Sequence, residues 1–309
     1  MTHEFMQVDA FTDQPLGGNP CAIVFDADDL STETMQAIAK ENNLSETAFV
    51  LKSDVADVGA RYFTPDEEIP LAGHPTIATI YALATTNRIP SDKIGEPGST
   101  TQIMLQLPAG VLPIDIVWSG KPGSDQPRSV DQVIMSQLAP KFGATFSSEQ
   151  ILPIFGLQPE DSLAGPPIQI VSTGTPQLMI PVRDHDALRR VALNAADYVA
   201  FREREKFFSP HIFCLEGATE SGDTFARHVV ASHGGSTFED PFTGSATGGM
   251  GAYIWHHGLM DSPKFVAEQG HWMGRPGRAK VEVVGQPDVI ETVKVGGNAA
   301  TIIRGELLI

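Results

Sequence analysis

Two places in the chain put a polar side chain directly after a glycine and directly ahead of a small or apolar run: Gly73-His74, followed by Pro75, and Gly244-Ser245, followed by Ala246. Both read as helix starts. Unpaired backbone N–H groups and the positive end of the helix dipole suit such a start to a carboxylate or another anion. Ordinary capping by the His or the Ser is the competing reading. Two starts facing one cleft would form an anion pocket. Glu46, in Ser45-Glu46-Thr47, heads the apolar run Ala48-Phe49-Val50-Leu51. Held at a strand edge and partly out of water, such a carboxylate can serve as a general base near neutrality; a solvated glutamate at a strand start is the plainer alternative. Glu239-Asp240, just before Pro241, offers a second carboxylate or a simple acidic turn.

Other chemistries lack their residues. His256 and His257 are adjacent and point to different helix faces, no His-Glu-x-x-His occurs, and His228 and His233 have only Asp240 as a nearby acidic partner. No metal site is therefore expected. The nucleophile elbow Gly-x-Ser-x-Gly is absent. Gly248-Gly249-Met250-Gly251 lies within a helix-like stretch and follows no strand-to-turn junction, unlike a dinucleotide fingerprint. Cys21 and Cys214 fall outside the paired loops, and two cysteines so far apart fit a reducing compartment better than a disulfide scaffold.

The elements that must carry these residues are mostly short strands. Alternation predicts strands over 5–11, 22–25, 47–51 and 59–63, with dense turn chemistry at 14–20 and a Ser31-capped helix to about residue 40. The spacing argues for an antiparallel or mixed sheet. Residues 75–86 are apolar or small on nearly every face, the signature of a helix buried on all sides. Residues 245–258 repeat the arrangement with glycines that call for close packing. Each half reads strand, acidic loop, glycine, buried helix: Arg61-Tyr62-Phe63 leads to Gly73, and Arg227-His228-Val229 leads to Gly244. This is a weak internal duplication, with two similar lobes and a cleft between them. The lobes are placed at 1–122 and 123–295, with the linker at 119–128. A last strand over 293–308, its 296–309 portion returning to the first lobe, completes the layout.

The chain has 309 residues, 41% hydrophobic and 19% charged, enough apolar material for two cores. Its 21 basic against 38 acidic side chains give a net charge of −17, which disfavours nucleic acid and anionic membrane surfaces as partners. No cationic segment precedes an apolar one near Met1, and no run spans a bilayer, so a soluble, cytoplasmic protein is expected.

Taken together, the motifs resemble the PhzF family of phenazine-biosynthesis isomerases and their relatives, which share the diaminopimelate epimerase fold. The matching blocks run in family order: Val8-Asp9-Ala10-Phe11-Thr12 with Gly18-Asn19-Pro20, Ser45-Glu46-Thr47-Ala48-Phe49-Val50, Arg61-Tyr62-Phe63-Thr64-Pro65 and Gly73-His74-Pro75-Thr76. Ser172-Thr173-Gly174, the stretch from Glu239 to Ala246, and Gln269-Gly270 with Gly274-Arg275-Pro276-Gly277 complete the set. Only about 120–167 carries no recognisable motif.

The resemblance implies an α+β fold of two pseudo-symmetric lobes, each a curled, mostly antiparallel sheet around a central helix. It implies a cofactor-independent isomerase, commonly a homodimer, acting on a small carboxylated metabolite. In the phenazine enzyme a glutamate takes a proton from a ring carbon of a dihydro-hydroxyanthranilate and delivers a proton to another carbon of the conjugated system. Glu46 matches that residue; Ser45, Gly73, His74, Asp240, Gly244 and Ser245 match the substrate-binding set. Diaminopimelate-type epimerases use a cysteine on each lobe, and the corresponding positions here are Gly73 and Asp240. A one-base 1,3- or 1,5-hydrogen shift through Glu46 is what remains. An epimerase or lyase using the same site, and a catalytically silent binding protein, are the alternative readings.

Overall fold

The computed structural model describes residues 2–121, 129–231 and 235–309; most of the expected linker, and His233, lie outside them. The chain forms two compact units, Met1–Ser136 with Gly296–Ile309, and Gln137–Val295.

The first unit runs β1 (Thr2–Ala10), β2 (Asn19–Val24), α1 (Thr32–Asn42), β3 (Glu46–Leu51), β4 (Val58–Phe63), β5 (Glu68–Ile69), α2 (Gly73–Thr85), β6 (Thr100–Leu107), β7 (Gly110–Trp118) and β8 (Val130–Ser136). The second runs β9 (Lys141–Phe146), α3 (Ser148–Ile151), β10 (Ile168–Ser172), β11 (Pro176–Pro181), α4 (His185–Arg189), α5 (Ala195–Glu205), β12 (Ser209–Cys214), β13 (Thr224–Ala231), β14 (Thr237–Asp240), α6 (Gly244–His256), β15 (Lys264–Gln269), β16 (Gly277–Gln286) and β17 (Val289–Gly297). β18 (Ala299–Leu308) returns to the first unit, antiparallel to β1.

The duplication is written in the pairings. In the first unit β1–β2 is antiparallel, β2–β3 parallel, β3–β4 antiparallel, β4–β6 parallel and β6–β7 antiparallel, with β5 folded back on β4. In the second the same sequence of senses recurs through β10, β11, β12, β13, β15 and β16, with β14 folded back on β13. A parallel pair requires a long crossover. α1 supplies it between β2 and β3, and α4 with α5 between β11 and β12; α2 and α6 supply it for the second parallel pair of each unit.

These crossovers cover both faces of each sheet. α2 packs against β1, β2, β3 and β8, and eleven of its thirteen residues are buried. α6 packs against β10, β11, β12 and β16, with ten of thirteen buried. On the outer face of the first unit, Met35, Ile38 and Ala39 of α1 meet Val24, Phe49 and Phe63. In the second, Tyr198 and Phe201 of α5 close over Ile180, Ile212 and Phe225. Ser31 caps α1, its Oγ accepting from the Thr34 N–H at 3.2 Å.

Several boundaries differ from the sequence reading. The units divide between Ser136 and Gln137 rather than at 122/123, because β8 pairs along β7 from Trp118 to Ile114. The final strand is two, broken at Asn298. There the Asn298 carbonyl accepts from the Phe11 N–H at 2.8 Å, and the Phe11 ring lies against the Gly297 backbone so closely that a Cβ would come within 2.4 Å of it. Phe11 itself, with φ of 63°, ends β1 instead of extending it. The acidic stretch at Glu239-Asp240 is strand, not turn.

Candidate active site

Each central helix is approached in the same way. In the first unit the Arg61 guanidinium grips Glu68 with Nε and Nη2 at 2.7 and 2.6 Å. In the second Arg227 grips Glu239 with the same two nitrogens at 2.9 and 2.7 Å. These bidentate pairs fasten β5 to β4 and β14 to β13, and the hydrogen bonds from Arg61, with its charge, hold the Glu68 carboxyl below its ordinary pKa. Three residues then lead into each helix: Pro70-Leu71-Ala72 before Gly73, and Pro241-Phe242-Thr243 before Gly244. Thr76 and Thr247 occupy matching places in the first turn, donating back to the Ala72 and Thr243 carbonyls at 2.7 and 3.0 Å.

Neither helix start is capped by a side chain. His74 and Ser245 are the second residues of their helices, so neither takes the capping role that sequence alone allowed. The first-turn N–H groups of both helices are left to other partners, which is the condition for anion binding.

Glu46 opens β3 opposite Cys21 of β2. Its side chain is 17% exposed, and Oε2 lies 3.0 Å from Nε2 of His74, itself 5% exposed. The approach is within ion-pair distance but not aligned as a hydrogen bond, as is common at catalytic pairs before substrate arrives. On the other side of the ring, Nδ2 of Asn19 meets His74 Nδ1 at 3.1 Å. Cys21 is fully buried, and burial first, then the Glu46 charge, pushes its thiol well above the ordinary range. It stays protonated and is no nucleophile. Beneath the pair, the Tyr62 hydroxyl donates to Thr76 Oγ1 at 3.0 Å, since Thr76 spends its own proton on the Ala72 carbonyl.

The second unit holds Asp240, Gly244 and Ser245 through a different set of partners. Thr243 Oγ1 donates to Asp240 Oδ2 at 2.5 Å. The Gln269 amide donates to the Asp240 carbonyl at 2.7 Å and accepts from the Thr243 N–H at 3.2 Å, tying strand end to helix start. Gln137 Nε2 donates to the Gly244 carbonyl at 2.9 Å while its Oε1 accepts from Thr173. Ser209 Oγ donates to Gln177 Oε1 at 2.6 Å, and Gln177 Nε2 reaches Ser245 Oγ at 3.4 Å.

The two halves part company where acid–base chemistry would sit. Glu46 is the first residue of β3 and pairs with Cys21; Ser209 is the first residue of β12 and pairs with Gln177. His74 follows Gly73 in α2; Ser245 follows Gly244 in α6. The carboxylate–imidazole pair of one unit thus answers to two hydroxyls joined through an amide in the other. Neither hydroxyl titrates near neutrality.

Of the residues singled out from sequence, Glu46 and His74 meet in the first unit, with Ser45 and Gly73 as their chain neighbours, and Asp240 is tied to the start of the Gly244-Ser245 helix in the second through Thr243 and Gln269. Gln137 and Gln177 escaped that reading, and Asn19 and Gln269 entered it only within matching blocks, with no role at the site. Their signal is a lone amide inside an apolar strand or turn: Gln177, fully buried in Pro176–Pro181, is the clearest case. The register that brings each amide to its partner is invisible without the fold.

Gly248 makes room for one of them. A Cβ there would lie 2.0 Å from Gln137 Oε1, whose amide is held at both ends. Gly249 and Gly251 similarly admit Met179 and Val281, at 2.9 and 2.8 Å from a Cβ. Gly248→Ala should therefore displace Gln137 and cost about 1–3 kcal/mol. A lowered urea midpoint with unchanged slope is the expected result; an unmoved midpoint would show that Gln137 is not fixed as described.

Comparison with known proteins agrees with this architecture. The family model for phenazine biosynthesis-like proteins, PhzC-PhzF, matches residues 8–305. The chain is similar to a trans-2,3-dihydro-3-hydroxyanthranilate isomerase of Pseudomonas chlororaphis, 31% identical over 309 residues, covering 99% of this chain and 100% of the relative. It is 34% identical to the uncharacterised isomerase YfhB of Bacillus subtilis over 281 residues, 91% of this chain and 90% of the relative. The crystal structure of a PhzF-family phenazine biosynthesis protein from Bacillus anthracis matches with a TM-score of 0.84 at 34% identity, covering 100% of both chains. The paired sheets and their central helices are the diaminopimelate epimerase-like α+β fold, and the chain belongs to the PhzC-PhzF family of phenazine biosynthesis-like isomerases.

Proposed function

We propose that the protein is a cofactor-independent isomerase that moves a double bond in a small, conjugated, carboxylated metabolite, with Glu46 as its single acid–base group. The observation that carries this reading is the asymmetry of the duplicated units: Glu46 and His74 on one side answer to Ser209 and Ser245 on the other. Racemisation of the diaminopimelate type takes a cysteine thiol from each half, at the places matched here by Gly73 and Asp240, so both thiols are missing. A one-base shift needs a single titrating group.

In the proposed step, the Glu46 carboxylate takes a proton from an sp³ ring carbon. The C–H electron pair becomes part of a new double bond, the existing one shifts along the conjugated system, and the far carbon receives the proton back from the Glu46 carboxylic acid. Atoms and electrons balance without an external oxidant or reductant. His74 holds the carboxylate, and the α2 start, with Ser45 and Gly73, favours the charge developing on the substrate. Asp240, Gly244 and Ser245 are proposed to bind the substrate's polar groups. A positioned base supplies roughly 10²–10⁴-fold of the rate, and oriented N–H donors add to it.

The test is incubation with trans-2,3-dihydro-3-hydroxyanthranilate, with proline and diaminopimelate as epimerase probes. A shifted double bond in the first compound and no stereocentre exchange in the others is the expected result. Exchange at a stereocentre without a double-bond shift would replace this reading with an epimerase. Inertness toward all three would leave only the family assignment.

A further inference from the structure

Asn19 takes no part in the chemistry above, yet it is fully buried and its amide is fixed against the one imidazole that faces the proposed base. From this contact we infer that Asn19 is a positioning residue that sets the tautomer of His74, so that the ring presents Nε2–H to Glu46. The inference rests on the reading of Glu46 as acid–base group for its catalytic consequence, but not for its structural content.

An amide NH₂ can only donate, so with Asn19 Nδ2 at 3.1 Å the His74 Nδ1 must accept through its lone pair. A neutral imidazole with an accepting Nδ1 carries its proton on Nε2. That nitrogen is the one 3.0 Å from Glu46 Oε2. The opposite tautomer would leave a bare, electron-rich Nε2 at that distance from the carboxylate oxygen. The Nε2–H tautomer steadies the ionised carboxylate before proton abstraction, and it denies Nε2 a role as a competing base. His74 is thereby a fixed donor rather than a second proton carrier.

The backbone is built to hold Asn19 in place. β2 begins at Asn19, which pairs with Ala10 at the end of β1. The preceding Gly18 has φ of 49°, and a Cβ on it would lie 2.0 Å from the Ala10 carbonyl oxygen. Only glycine passes through that turn so close to β1, and the tight passage delivers the Asn19 side chain to the α2 start. The turn chemistry noted at 14–20 thus has a second use beyond reversing the chain.

The test reads the tautomer directly. Long-range ¹H–¹⁵N correlation spectra of ¹⁵N-labelled protein, with the His74 ring assigned by its absence in His74→Gln, should show protonated Nε2 and bare Nδ1 in the wild type. In Asn19→Asp, close to isosteric, the carboxylate accepts rather than donates, so Nδ1 should become protonated. In Asn19→Ala the ring should lose its single tautomer. Glu46→Gln, which leaves the Nδ1 contact intact, should keep the wild-type pattern. With trans-2,3-dihydro-3-hydroxyanthranilate, Asn19→Asp should lose kcat on the order of 10²-fold with a smaller change in KM, and its pH–rate profile should shift. An Nδ1–H ring in the wild type, or an unchanged Nε2–H ring in Asn19→Asp, would overturn the inference. Absence of turnover in the wild type together with the expected tautomers would count against the proposed reaction and not against Asn19's role. Should Asn19→Ala fail to fold, the wild-type spectrum and Asn19→Asp still decide.

Discussion

Replacing Glu46 by glutamine is expected to remove turnover while leaving the fold in place. Glutamine has the size of glutamate, and the site it would occupy at the start of β3 is 17% exposed, with one oxygen against His74. An amide can still meet the imidazole across the same gap, so neither packing nor the α2 start is disturbed. What disappears is the lone basic oxygen that takes the proton and the acid that returns it. A positioned acid–base group contributes roughly 10²–10⁴-fold. The places in the second unit that correspond to Glu46 and His74 hold Ser209 and Ser245, whose hydroxyls do not titrate near neutrality. The loss should therefore fall in kcat, with KM little changed and the thermal midpoint within a degree or two. Wild-type activity in Glu46→Gln would mean that the base lies elsewhere; loss of the folded signal would mean that the residue is structural.

A large effect on stability is expected from acid. His211 and His228, on neighbouring strands β12 and β13, lie fully buried with their Nδ1 atoms 3.4 Å apart. Burial lowers the His228 pKa to about 3, and burial with the neighbouring His228 pushes His211 well below its ordinary value. In the unfolded chain both titrate near 6.5. Above that pH neither state binds these protons and stability is full. As pH falls below about 6.5, the unfolded chain takes up protons that the folded one refuses, and stability is lost until the folded pKa is reached. Each imidazole removes about 1.4 kcal/mol per pH unit over this window, or about 2 kcal/mol by pH 5. Urea midpoints between pH 7.5 and 5 should fall for the wild type. A His211→Leu/His228→Met variant should lose most of that slope, retaining a remainder from the partly buried His257 and His271, whose pKa values burial also lowers. An equal slope in both proteins would show that the pair is not held neutral.

Much of this site was legible in the sequence because its parts are local. A glycine ahead of a residue and a small-residue run locates a helix start; Gly73 opens its helix two residues ahead of the predicted span and Gly244 one residue ahead. Glu46 heads a strand because the apolar run after it leaves no other reading. The repeat of Arg, acidic stretch, glycine and helix exposes the duplication. What could not be read depends on register between segments far apart in the chain. Nothing in Gln137 or Gln177 points to Gly244 or Ser245, and Asn19 looks like one more turn residue until α2 is folded against it. The ion pairs Arg61–Glu68 and Arg227–Glu239 are of the same kind, seven and twelve residues apart but joined only once β5 and β14 fold back. Both acidic stretches read as loops in the sequence because strands of two and four residues are too short for a period to show.

The most direct test of the account is proton NMR of wild-type and Glu46→Gln protein with trans-2,3-dihydro-3-hydroxyanthranilate in D₂O. The partly exposed Glu46 carboxyl can exchange with solvent between taking and returning its proton. Deuterium at the receiving carbon of an isomerised product, formed by the wild type and not by Glu46→Gln, is the predicted result. The same labelled product from both proteins would contradict the claim that Glu46 is the acid–base group.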